Sequence, residues 1–242
     1  MTTTSASRGD PTAVPASRRI LVWDAPVRVF HWLMVLSFAG AWLTAESERW
    51  RLVHVTLGYT MAGLVAFRIV WGLVGTQHAR FSAFVRGPRA VADYLGSVWH
   101  RRPQHHAGHN PAGAVAIVAL LALTLVVAAT GWSVYNDVAG HWMEELHEAA
   151  ANTMLALVIA HVAAVVLSSV LHGENLVRAM VTGRKTGAPA EGVQRAWRGL
   201  AALVLSSVLA FWWLQWQSAP AGGEVDRHAV SSQRQDADAD HD

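Results

Sequence analysis

Residues 147–161 read His-Glu-Ala-Ala-Ala-Asn-Thr-Met-Leu-Ala-Leu-Val-Ile-Ala-His, with a histidine at each end of a run able to cross a membrane. Fourteen residues separate His147 from His161. That is close to four helical turns, so both imidazoles leave a helix on nearly the same face. At about 1.5 Å rise per residue they stand roughly 21 Å apart in depth. The hydrocarbon core is about 30 Å thick, which places one near each surface. Ionisable side chains are costly at such depths and mark functional paths. This ladder of two inward-facing histidines predicts two stacked cofactor sites in one helical bundle.

Working outward, the 242-residue chain is 52% hydrophobic and 15% charged. Five stretches are long and apolar enough to span a bilayer: Val27–Thr44, Leu52–Val74, Ala112–Val134, Ala149–Leu171 and Leu200–Trp216. No alternating strand pattern accompanies them, so the expected class is an all-α integral membrane protein. Cysteine is absent, which excludes disulfides, covalent c-type haem attachment and cysteine-held iron–sulfur clusters within this chain. A redox cofactor here has to be held by other side chains, and thirteen histidines are present.

The first nineteen residues are polar and carry no apolar core beside a small-residue cleavage site, so no removable signal peptide is expected. They are read as a disordered N-terminal segment. Residues 218–242, rich in Gly, Asp and Gln, are read as a disordered tail. Arginines collect before the first span (Arg8, Arg18, Arg19, Arg28), in the second connection (Arg80, Arg86, Arg89, Arg101, Arg102) and in the fourth. The third connection holds Asp137, Glu144 and Glu145 and no base. The positive-inside rule then predicts a cytoplasmic N-terminus and, after five crossings, a periplasmic C-terminus. Trp23, Trp50, Trp132, Trp142, Trp212, Trp213 and Trp216 fall near span ends, where interfacial anchoring is expected.

This orientation assigns depths. His31 on the first span and His161 on the fourth share the inner level; His54 on the second and His147 share the outer level. Two pairs of imidazoles at two depths are what two bis-histidine, non-covalent b haems require, one axial nitrogen coming from each facing helix. With both axial positions filled, electron transfer is the expected task, and no catalytic residue is assigned. The same histidines would also suit a divalent transition-metal transporter or sensor. Carboxylates would normally join such a path, and the spans hold almost none.

Arg68 lies fourteen residues after His54, on its face but at the inner level. It is read either as a partner for an inner haem propionate or as a snorkelling arginine. Gly58, one turn from His54, admits either a porphyrin or a helix contact. His100, His105, His106 and His109 are irregularly spaced and read as a solvated loop. His78, His141 and His172 read as interfacial, and Asn110-Pro111 as the turn launching the third span.

Several short motifs fall in one order: Val22-Trp23-Asp24-Ala25-Pro26-Val27-Arg28-Val29-Phe30-His31-Trp32, His54 with Gly58-Tyr59, Phe67-Arg68-Ile69-Val70-Trp71-Gly72 and Ala79-Arg80-Phe81. Gly108-His109-Asn110-Pro111, Thr130-Gly131, His147, His161, Asn175-Leu176-Val177-Arg178-Ala179-Met180 and Gly183-Arg184-Lys185 follow. With these the chain resembles the bacterial cytochrome b561 and Ni-hydrogenase b-type subunit family over roughly residues 20–186. The resemblance implies a four-helix transmembrane diheme bundle of the bacterial inner membrane, with His31, His54, His147 and His161 as axial ligands. It also implies electron transfer between the quinone pool and a partner such as a hydrogenase-like complex, a periplasmic c-type cytochrome or another redox protein. Membrane lipid is the expected surrounding, and no nucleic-acid partner is expected. Residues 187–217 lie beyond the shared core and carry a fifth span without histidine, read as an anchor or partner-docking helix.

Overall fold

A computed structural model describes residues 18–100 and 108–218. The expected disordered ends, His105 and His106 lie outside the described residues, apart from Arg18, Arg19 and Ser218 at their margins. Five helices are long and apolar enough to cross a membrane: α1 (Ala25–Thr44), α2 (Arg51–Val74), α5 (Pro111–Tyr135), α6 (His141–His172) and α8 (Arg198–Gln217). Short helices α3 (Phe81–Phe84), α4 (Pro88–Trp99) and α7 (Leu176–Thr182) sit in the connections. The architecture is that of an all-α integral membrane protein.

Local chemistry sets the helix starts. Asp24 Oδ1 accepts from the Val27 amide at 2.9 Å and caps α1, with Pro26 in its first turn. Asn110 Oδ1 accepts from the Gly113 amide at 2.7 Å and Pro111 opens α5, as the turn reading anticipates. Asn175 caps α7 in the same way. Gly173 and Gly183 end α6 and α7 with φ of +61° and +78°, a backbone that side chains other than glycine adopt with strain. Helix α6 begins eight residues earlier than its apolar run suggests, at His141 rather than Ala149. A hydropathy window measures apolar length, and the first two turns of α6 are polar. His147 therefore sits inside regular helix.

Helix α1 packs along α2, α2 along α5, and α5 along α6; α8 packs along α1. The Trp212 indole N–H on α8 also donates to Thr60 Oγ1 on α2 at 2.9 Å. Phe30, Leu33 and Leu64 form the apolar contact between α1 and α2, with Val204 and Val208 of α8 against it. Ile159, Val162, Val166, Leu167 and Val170 of α6 are exposed, as residues solvated by hydrocarbon should be.

One end of the bundle carries a feature that the apolar pattern does not reveal. Strand β1 (Arg18–Leu21) pairs antiparallel with β2 (Arg184–Gly187), and the Val22 and Trp23 amides donate to the Gly183 carbonyl at 2.8 and 3.0 Å. This ribbon, α7 and the start of α1 bury Ile20, Val22, Trp23 and Ala179 together. Trp23 is thus a core residue, 7% exposed, and not the interfacial anchor that its position near a span end suggests. Trp50, Trp132, Trp142, Trp213 and Trp216 are exposed, in keeping with interfacial placement.

Candidate functional site

At the end of the bundle away from the ribbon, His54 on α2 faces His147 on α6, their ring centroids 6.2 Å apart and their planes at 78°. Each ring is held by its Nδ1. His54 Nδ1 bonds the Ala41 carbonyl at 2.8 Å. Ala41 lies in the last turn of α1, where carbonyls lack a backbone donor; its carbonyl also accepts from Thr44 Oγ1 at 3.2 Å, and the short connection to α2 brings His54 beside it. His147 Nδ1 lies 3.1 Å from the Val127 carbonyl and 3.0 Å from Thr130 Oγ1. Thr130 donates its own proton to the Val126 carbonyl at 2.8 Å, which leaves its oxygen to accept. A carbonyl only accepts, so both Nδ1 atoms carry the proton and both Nε2 atoms keep a lone pair. That tautomer is the one a metal-ligating histidine needs.

Two residues complete this level. A Cβ built on Gly131 would stand 2.8 Å from His147 Cε1, so glycine there leaves room for the ring. Nothing lies within 4 Å of a Cβ built on Gly58, so the wall near His54 is open. Thr130-Gly131 is visible in the sequence as a motif, but its contact with His147 depends on how α5 and α6 pack.

At the ribbon end, His31 on α1 and His161 on α6 lie within electrostatic range of each other across the bundle. His31 packs edge-on against Trp32 at 5.2 Å, and its Nδ1 is buried without a hydrogen-bond partner. Arg68 of α2 is buried at 3% exposure, with its guanidinium 4.8 Å from the Phe81 ring and 6.0 Å from Phe84. Its Nη1 has no hydrogen-bond partner. This places the guanidinium inside the protein.

His109 departs from its reading as a solvated loop residue. Its ring lies 4.4 Å from Trp23 and 4.6 Å from Phe84, and its Nδ1 is buried without a partner. Burial first, then Arg68, His78, Lys185 and His161, push its pKa down to about 3, so the ring is neutral at physiological pH. His78 is held alongside, Nε2 2.7 Å from the Glu191 carbonyl. His100 lies apart and exposed, bonded to the Gly96 carbonyl of the preceding helix α4, and His141 pairs with Glu144 at 2.9 Å on the surface.

These features fit haem b. Two imidazoles sharing one ion at about 2 Å from each ligating nitrogen have centroids roughly 6 Å apart, the spacing of His54 and His147. Buried polar groups are satisfied in more than about nine cases in ten. The orphaned atoms on Arg68 and His109, which lie within electrostatic range of each other, and on His31 therefore leave room for a bound partner, since none among the described residues meets them. Among the described residues no three His, Asp or Glu side chains gather into a metal-holding cluster.

A family model described as prokaryotic cytochrome b561 matches residues 22–183. A probable Ni/Fe-hydrogenase B-type cytochrome subunit of Rhodobacter capsulatus is 24% identical over 230 residues, covering 76% of this chain and 88% of the relative. The similarly described subunit of Rhizobium leguminosarum bv. viciae is 23% identical over 211 residues, covering 69% and 88%. A probable Ni/Fe-hydrogenase 1 B-type cytochrome subunit of Escherichia coli K12 is 26% identical over 143 residues, covering 48% and 60%. No solved structure matches. With all four spaced histidines inside the matched region, the chain belongs to the prokaryotic cytochrome b561 family, whose members are b-type cytochromes.

Proposed function

We propose that this protein is a diheme b-type cytochrome of the bacterial inner membrane. It passes electrons between the quinone pool and a redox partner, either a hydrogenase-like complex or a c-type cytochrome. Residues 20–186 form the cytochrome core, 187–217 add a helix, the N-terminus is cytoplasmic and the C-terminus periplasmic. The observation that carries this reading is the His54–His147 pair, 6.2 Å apart with both Nδ1 atoms engaged. The names of the relatives favour the hydrogenase-like partner.

Haem b, when bound, supplies a reversible one-electron carrier. The chain's residues hold and isolate it. His54 and His147 serve one level, His31 and His161 the other, and the 14-residue spacing on α6 keeps the levels apart. The Ala41 and Val127 carbonyls and Thr130 fix the tautomer and ring plane at the outer level. A haem held by a histidine from each of two helices would have no ligand position left for a substrate, which suits a carrier rather than a catalyst.

The test is a dithionite-reduced minus oxidised spectrum of the purified protein, with pyridine haemochrome quantification. Two non-covalent b haems per chain are expected. One haem would remove one histidine pair from the assignment. A haem-free protein that instead retains zinc, copper or nickel would replace it with the transport reading. A second expectation concerns Gly131. A valine there drives its side chain into the His147 ring and should cost the outer haem while sparing the inner one. Retention of both haems by Gly131→Val would show that the ring has room to move aside.

A further inference from the structure

We propose that Arg68 and His109 together form a two-donor cradle for a carboxylate, the propionate of the haem held at the level of His31 and His161. This rests on the diheme reading and adds His109 to it as a positioning residue. The two side chains meet on one ring: the Arg68 guanidinium is 6.0 Å and the His109 ring 4.6 Å from Phe84. Trp23 closes the other side of His109 at 4.4 Å, and Phe81 lies against Arg68 at 4.8 Å. Within this apolar box, Arg68 Nη1 and His109 Nδ1 are both buried and both lack a partner.

A buried guanidinium without a bonded anion is costly, and so is an unpaired buried imidazole nitrogen; a carboxylate beside His109 Nδ1 would hold the ring's proton on that atom. The carboxylate within electrostatic range of Arg68 is Asp24. That carboxylate is already taken by three donors, the Val27 amide at 2.9 Å, the Trp71 indole at 3.0 Å and the Thr76 hydroxyl at 2.6 Å. No acceptor among the described residues meets either nitrogen, which leaves the place open to a bound anion. It must be an anion small enough to accept from two donors beside one aromatic ring, and it must lie near the inner histidines. His161 is one of the groups that act on His109 electrostatically. A haem propionate meets each requirement, and a charge-assisted bond from Arg is its ordinary partner.

His109 is held in place by the chain that follows it. Asn110 caps α5 and Pro111 fixes its first turn, so the preceding residue is anchored at the helix mouth. Gly108 lies against His78, with 2.9 Å between a Cβ built there and His78 Nδ1.

An ionised propionate favours ferric haem, and donors that offset its charge raise the potential. The experiment is a potentiometric optical titration of the full-length protein with both haems loaded, comparing wild type, Arg68→Ala, His109→Leu and His109→Gln. The inner component is identified as the one retained in His147→Ala. His109→Leu should lower the inner midpoint or lose the inner haem, with the outer component unchanged, and Arg68→Ala should act in the same direction. His109→Gln, which keeps a donor, should recover much of the wild-type value. Two haems with unmoved midpoints in His109→Leu would overturn the cradle alone, as would a glutamine variant indistinguishable from leucine. Fewer than two haems in the wild type would overturn the diheme reading itself.

Discussion

Replacing His147 by alanine is expected to halve the haem b content of the purified protein while leaving the remaining haem spectrally intact. The two levels stand roughly 21 Å apart along α6 by helical rise, and they draw on separate partners. The outer pair uses the Ala41 and Val127 carbonyls and Thr130. His161 lies within electrostatic range of His31 and of His109, and His109 sits in the Trp23–Phe84 box at the ribbon end. If the four histidines are the proposed ligands, truncating one imidazole removes half of one set and leaves the other set whole. His54→Ala should give the same product, and His31→Ala or His161→Ala the complementary one, lacking the inner haem. Pyridine haemochrome quantification per chain reads each outcome directly. Two haems surviving in His147→Ala would sink the ligand assignment. Thr130→Val is a milder companion, because a hydrogen bond that orients a ligating imidazole typically contributes about 10–100-fold in metal affinity and the Val127 carbonyl still accepts from His147 Nδ1.

Asp24→Ala should destabilise the fold by about 3 kcal/mol or more, since three hydrogen bonds to a buried carboxylate are lost and their donors stay buried. Asp24 is 1% exposed. It caps α1 through Val27 and joins that helix start to the far end of α2 through Trp71 and to the following turn through Thr76. It is also the carboxylate within electrostatic range of both Arg28 and Arg68. Its removal leaves two cations facing a less compensated interior. The expected result is a clearly lower thermal midpoint in detergent, accompanied by loss of the inner haem before the outer. Asp24→Asn should be intermediate, because the amide oxygen can still cap α1 while its NH2 faces the other donors. An alanine variant as stable as wild type would show that the network is dispensable.

Both effects differ in how they could be foreseen. The histidine ladder rests on helical rise and face, which are local properties, so His31, His54, His147 and His161 stand out from spacing and hydropathy alone. Asp24 stands in the sequence as one residue of a motif, and its partners Trp71 and Thr76 lie 47 and 52 residues away. Nothing in a linear pattern reports that contact. His109 is the sharper case. Its irregular spacing within a polar, histidine-rich connection reads as solvated. Its burial depends on Phe84 from one loop and on Trp23, which the β1–β2 ribbon draws inward.

The sequence by itself determined the membrane class and the five helical spans to within a few turns, because both follow from bilayer thickness and 3.6-residue periodicity. It also carried the caps at Asp24, Asn110 and Asn175, whose bonds close within three residues. Tertiary structure alone decided that Gly131 makes room for His147, that Trp23 is core, that Arg68 points inward and that His109 joins it around Phe84. Those facts depend on contacts between segments far apart in the chain, where side-chain orientation is set by packing and not by the local period.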